Sequence, residues 1–296
     1  METVGFIGLG NLGSPMAQNI QRQGYQMVVY DIQEGATKLM LERGARLADS
    51  PRQVGEFSDV VFTSLPGPSE VDEVALGPGG IIEGIRPGSV YIDLSTSRPS
   101  LIRHIGKQFA QKGAEVIDAP VFGGPSDAEV HYMIVMPSGD RNVYEKLLPV
   151  FEAFADKVVY QGDLGQGSVC KLVLNMMTLS VRQVAAEGLS LGIKSGLNLS
   201  ALMEAGSRGV LATQADLLNE TVFSGDFDTA GFRQALSRKD LGLATELGKE
   251  MNVPLPVANI VEQIAIQCTN KGWADKGTQV IYRLQEEASG IKMRLP

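Results

Sequence analysis

Histidine, cysteine and tryptophan are scarce in this chain of 296 residues, at two, two and one. The cysteines, Cys170 and Cys268, form no Cys-x-x-Cys pair and no disulfide framework, which suits a reducing compartment and a cytoplasmic location. Together with His104 and His131 they are too dispersed for a catalytic zinc set, so no metal is expected. Neither histidine sits beside an acid in a register that suggests a His–Asp pair. None of the seven tyrosines is followed four residues later by lysine, which argues against the Tyr-x-x-x-Lys chemistry of short-chain dehydrogenases. Basic charge is also in deficit: 26 Lys and Arg against 34 Asp and Glu give a net charge of −8. With no basic cluster to offset that balance, nucleic acid is not an expected partner. No Gly-Lys-Ser/Thr follows a glycine loop, so an NTPase is excluded. No apolar run is long enough to span a bilayer, and Met1-Glu2-Thr3-Val4 has neither part of a signal peptide. What remains, 44% hydrophobic and 20% charged residues, is an ordinary soluble composition long enough for two domains with their own cores.

The longest uninterrupted pattern runs from Gln166 to Ser195 without proline. As one helix it spans roughly 45 Å. Its first half is apolar nearly all round, from Val169 through Val181, so it expects burial on most sides, part of it against a partner subunit. Lys171, Asn175, Thr178 and Arg182 recur at helical spacing and share one face. Two readings stay open for that stripe: a wet cleft, or a snorkelling lysine with neighbours satisfied by the helix.

Before that stretch, strands and helices alternate. Val4 to Gly8 reads as a buried strand that runs into Gly8-Leu9-Gly10-Asn11-Leu12-Gly13, and Ser14 to Ile20 has helical spacing with Pro15 in the first turn. A G-x-G-x-x-G between strand and helix is a dinucleotide site: one glycine for the turn, one for close approach of pyrophosphate, one for helix–strand packing. The strand Met27–Tyr30 ends at Asp31, placed to bind ribose hydroxyls and to repel a 2′-phosphate. Ile32 and Gln33 bring no arginine, so NAD is expected rather than NADP. Further strands end at Leu65-Pro66 and at Ser95-Thr96, and a fifth closes at Asp118 to Gly124, where paired glycine amides can hold an anion. The pattern predicts an α/β, doubly wound parallel sheet over residues 1–163, completed by segments at Tyr132–Met136 and Val158–Gln161. From 164 to 296 every segment reads helical.

The ordered motifs Gly8–Gly13 with Pro15-Met16-Ala17, Asp118 to Gly124, Gly165-Gln166-Gly167 leading to Lys171 and Asn175, and Lys239-Asp240-Leu241 resemble the β-hydroxyacid dehydrogenase family, the group of 3-hydroxyisobutyrate dehydrogenase and tartronate semialdehyde reductase. The likeness covers nearly the whole chain, except Ile291 to Pro296. It implies a Rossmann-type domain followed by an all-helical substrate and dimerisation domain, assembled as a homodimer or homotetramer, acting with NAD on a small β-hydroxy acid or semialdehyde. It implies Lys171 as the general acid/base and Asn175 as the residue that orients it. It implies cofactor contacts at Gly8, Gly10, Asn11, Leu12, Gly13, Asp31, Leu65, Pro66, Thr96 and Lys239. NADP-using members carry Asn-Arg where this chain has Asp31-Ile32, in agreement with NAD. Phe122, Gly123 and Gly124 correspond to the substrate-carboxylate anchor, but Phe122 replaces the family's usual serine and His131 replaces a usual glycine. His131 and Arg208 are candidate alternative donors. An imine reductase is a second reading, weakened by the retained Lys171; a catalytically silent NAD-binding module is a third.

Overall fold

The structure is a computed structural model and describes residues 3–295. Packing divides the chain into two compact units, the first running through Lys171 and the second starting at Leu172.

The first unit opens with β1 (Thr3–Ile7), α1 (Gly13–Arg22), β2 (Gln26–Tyr30), α2 (Glu34–Glu42), β3 (Arg46–Leu47) and α3 (Pro51–Phe57). It continues with β4 (Val60–Thr63), α4 (Pro68–Leu76), α5 (Ile81–Gly84), β5 (Val90–Asp93), α6 (Pro99–Ala110) and β6 (Glu115–Asp118). These six strands form one sheet in the order β3-β2-β1-β4-β5-β6, every pairing parallel. That is the doubly wound Rossmann order, whose ligands sit at the carboxyl ends of the strands. Successive side chains alternate between two cores. Val4, Phe6, Val29, Phe62, Ile92 and Ile117 fill one, while Ile7, Val28, Val61, Tyr91 and Val116 fill the other.

Pro120 has no N–H to donate, and beyond it no strand joins the main sheet, although Ser138 makes an isolated antiparallel bridge to Asp118. β7 (Val121–Phe122), α7 (Pro125–Glu129), β8 (Ile134–Val135), α8 (Arg141–Phe151) and β9 (Lys157–Val158) follow. The three short strands form a separate sheet in the order β7-β8-β9, antiparallel then parallel. The segments expected to extend the main sheet therefore build a second one.

The long helix is α9 (Gln166–Lys194), within one residue of the expected end. In the second unit come α10 (Leu199–Ala205), a 3-10 turn (Val210–Gln214), α11 (Ala215–Leu217), a π-helical turn (Leu218–Val222), α12 (Gln234–Glu250), α13 (Pro256–Asn270) and α14 (Val280–Ser289). No strand is present among its described residues. Its main core joins Ala186 and Leu189 of α9 to Phe223, Trp273, Tyr282 and Met293. The buried Glu286 carboxylate draws the last segment in, accepting from the Met293 amide at 2.7 Å and from Arg294 Nη1 at 2.6 Å. The same Arg294 nitrogen donates to the Val222 carbonyl at 2.9 Å.

Candidate active site

The three glycines of the first loop are glycine for different reasons. A Cβ on Gly8, whose φ is +90°, would lie 2.3 Å from the Ser64 carbonyl oxygen, and one on Gly13 would lie 1.9 Å from that of Gly8. Both are required by the fold itself. A Cβ on Gly10 would meet nothing within 4 Å. Gly10 and Asn11 are exposed, so the fold gives Gly10 no reason to be glycine, whereas a pyrophosphate pressed on the loop backbone does. The residues present thus fit a dinucleotide. At the end of β2, Asp31 Oδ2 accepts from the Leu9 amide at 2.7 Å and Oδ1 from the Gln33 amide at 2.8 Å. The acid ties the loop down and keeps lone pairs for a ligand hydroxyl.

The ends of β4 and β5 are cross-linked. The Leu65 amide donates to Ser95 Oγ at 2.9 Å, while Thr63 Oγ1 and the Ser95 amide donate to Asp93 Oδ1 at 2.8 and 3.1 Å. Pro66 is exposed and Thr96 half-buried at the same sheet edge as the glycine loop.

Asp93 stands in register with Asp118 on the neighbouring strand, and both are fully buried. Burial pushes the Asp118 carboxyl up to about 7; the Ser168 amide opposes the rise and the Asp93 charge adds to it. Asp118 Oδ2 accepts from the Ser168 amide at 2.6 Å and Oδ1 from Ser168 Oγ at 2.9 Å. Ser138 Oγ donates to Asp118 Oδ2 at 3.3 Å and accepts from the Gly167 amide at 2.9 Å. One turn further along α9, the Lys171 ammonium sits 5.2 Å from the centroid of the Phe122 ring, whose negative face attracts it. Gly123 is exposed with φ +135°, and a Cβ there would strike Met133 Sδ at 2.5 Å. The Gly124 amide already donates to Asp127 Oδ2 at 2.6 Å, so an acid stands beside the expected carboxylate anchor. The structure brings Phe122, Gly123 and Lys171 together; the bonds of Asp118 to Ser138 and Ser168 have no counterpart in the sequence reading.

In the second unit, Asn175 Nδ2 donates to Asp240 Oδ2 at 2.6 Å, and Lys239 Nζ lies 3.1 Å from Asp240 Oδ1. Asp240 is 2% exposed, a buried carboxylate between two expected site residues. Its signal was present in the Lys239-Asp240-Leu241 motif, where only the lysine had been given a role. The polar stripe of α9 divides. Arg182 donates to Gln214 Oε1 at 3.3 Å and to the Thr278 hydroxyl, inside the helical unit, and desolvation pushes its pKa down. Of the two alternative donors, Arg208 is exposed. His131 takes a left-handed φ of 61°, which is why glycine suits that position better. Among the described residues no group of three or more His, Cys, Asp or Glu could hold a metal ion.

A family model described as the NAD binding domain of 6-phosphogluconate dehydrogenase matches residues 3–162. Another, described as the NAD-binding of NADP-dependent 3-hydroxyisobutyrate dehydrogenase, matches residues 165–285. The chain is 34% identical to 2-(hydroxymethyl)glutarate dehydrogenase of Eubacterium barkeri over 98% of its own length and 97% of the relative's. It is 32% identical to mitochondrial 3-hydroxyisobutyrate dehydrogenase of Mus musculus, covering 96% of this chain and 87% of that one. The solved structure of Mycobacterium tuberculosis 3-hydroxyisobutyrate dehydrogenase with L-serine superposes with a TM-score of 0.87 at 28% identity, covering 96% and 99% of the two chains.

Proposed function

The chain belongs to the 3-hydroxyisobutyrate dehydrogenase family of NAD-dependent hydroxyacid dehydrogenases, and from that premise we infer that it interconverts a small β-hydroxy acid and its carbonyl partner with Lys171 as the proton carrier. NAD, when bound, supplies the hydride acceptor. Gly8, Gly10 and Gly13 shape the loop that takes its pyrophosphate, and Asp31 takes its ribose hydroxyls. Leu65, Pro66 and Thr96 complete that edge. Lys171 Nζ removes the hydroxyl proton in oxidation and returns it in reduction. Asn175, fixed by Asp240, orients the substrate oxygen and the lysine.

Phe122 and Gly123 form the floor on which the substrate's acid group rests. With Gly124's amide committed to Asp127, the ring sets a preference for a substrate carrying an apolar or larger group than 3-hydroxyisobutyrate or tartronate semialdehyde. The observation that carries the reading is the placement of Lys171 over Phe122, beside the glycine pair. The same reading puts the enzyme in the cytoplasm, consistent with two free cysteines and with the finding that no described helix is long and apolar enough to cross a membrane. The retained Lys171 weighs against an imine reductase.

Lys171→Ala tests the assignment. Turnover of a hydroxy-acid panel with NAD, followed by NADH absorbance, should fall by roughly 10²–10⁴ while NADH affinity stays near wild type. A variant that loses NADH affinity but keeps its turnover moves Lys171 to a structural role.

A further inference from the structure

We propose that Asp118, with Ser138 and Ser168, is the positioning residue of this active site: it seats the first turn of α9 and so fixes where Lys171 stands relative to Phe122 and Gly123. The proposal rests on the reading of Lys171 as the proton carrier.

A helix begins with four amides that have no partner within it. In α9 the Gly167 amide finds Ser138 Oγ, and the Ser168 amide finds Asp118 Oδ2. Both acceptors come from far upstream in the chain. The Ser168 hydroxyl adds a third bond to the same carboxylate, so one side chain holds residue 168 by its backbone and by its side chain. Asp118 is itself tied in place, its amide and carbonyl pairing with those of Ser138 at 3.0 and 2.7 Å. The fit is close: a Cβ on Gly167 would lie 2.4 Å from the Met136 carbonyl oxygen and 3.0 Å from that of Asp118. The helix start therefore cannot slide along the sheet edge.

Lys171 is three residues past Ser168, one turn on and nearly the same face. The segment that bears Asp118 also bears Phe122, whose ring lies under the Lys171 ammonium. Two points of one short segment, a buried carboxylate and an aromatic ring, thus grip two points of one helical turn. Gly123 follows directly, so the acid-group floor and the proton carrier share one frame. A misplacement of about 1 Å in such a frame is enough for a loss of about 10²-fold in rate. That an aspartate is kept fully buried here, beside Asp93 and with its proton affinity raised, agrees with a role that outweighs the burial penalty.

The test compares Asp118→Ala and Asp118→Asn in the wild-type and Lys171→Ala backgrounds of the full enzyme. Asp118→Ala should lower kcat about 10- to 100-fold with KM for NAD and for the hydroxy acid within about threefold. Asp118→Asn should keep turnover within about threefold, because an amide oxygen can accept from the Ser168 amide while its NH₂ donates to the Ser168 hydroxyl. In the Lys171→Ala background, Asp118→Ala should add less than about threefold, since the effect runs through the lysine. Independently of activity, hydrogen exchange at Gly167 and Ser168 should quicken at least about tenfold in Asp118→Ala and not in Asp118→Asn. If Asp118→Ala does not yield soluble protein, the Ser138→Ala/Ser168→Ala pair carries the same test. An unchanged kcat in the folded alanine variant, a loss that tracks KM, an equal loss in the asparagine variant, or a full loss in the lysine-free background overturns the proposal. If Lys171→Ala itself keeps wild-type turnover, the reading of the lysine has failed instead, and the exchange rates alone decide on the clamp.

Discussion

At position 31 a carboxylate is held from two sides by backbone amides, while its neighbour Ile32 is 85% exposed and offers no charge. A 2′-phosphate arriving there meets an anion with nothing to offset it. Asp31→Asn combined with Ile32→Arg is therefore expected to shift the ratio of specificity constants toward NADP by at least about tenfold, about 1.4 kcal/mol. An unmoved ratio in steady-state kinetics with both cofactors removes Asp31 as the selector. The place of this residue, at the end of the second strand, was legible in the sequence from the strand pattern and its spacing. The same holds for the glycines, although only coordinates separate Gly10, open on its Cα, from Gly8 and Gly13, which the backbone crowds. The contacts of Asp118 and Asp240 were not legible. Each acid lies in a recognised motif, but its partner, Ser168 or Asn175, is a long way along the chain, and no local pattern encodes that meeting.

Periodicity found α9 to within a residue, and with it α12, α13 and α14, because 3.6-residue repeats persist over many turns. It missed β3, a two-residue strand, and α3, a seven-residue helix, both too short for a period to register. The separate β7-β8-β9 sheet was missed because its two-residue ladders depend on a proline break rather than on alternation. α9 itself leaves apolar surface uncovered. Met177, Val184 and Leu191, spaced seven apart on one seam, are 55%, 53% and 70% exposed. A homodimer or homotetramer that buries this seam is the expected state. Met177→Asp with Val184→Asp should convert it to monomer in size-exclusion chromatography with light scattering, and a wild-type monomer at micromolar concentration contradicts the expectation.

The molecule as a whole inherits a pH dependence from Asp118, whose folded carboxyl is raised from 3.8 to about 7 by burial and by the facing Asp93, against the hydrogen bonds from Ser168 and Ser138. Tyr91, shifted well above its ordinary range on the same sheet face, stays neutral throughout. Between the ordinary carboxylate range and about 7 the folded chain holds a proton that the unfolded chain has released. This contribution to stability is thus complete in acid and is lost as pH rises through that window. Urea midpoints at about pH 5 and about pH 8 should show the wild type losing stability relative to Asp118→Asn. Parallel slopes would assign the effect elsewhere.

The anchoring of Met293 and Arg294 by Glu286 has a consequence for how the protein is made. The six-stranded sheet takes no strand from beyond residue 118 and its buried core residues end at Ala155, so it can close while the chain is still growing. The helical unit takes Met293 into its core and ties Arg294 back to the Val222 carbonyl, so its packing waits until residues 293 and 294 have left the ribosome. A nascent chain stalled short of that point carries a finished nucleotide-binding half and an open helical half, with the apolar faces of Phe223 and Tyr282 exposed to chaperones.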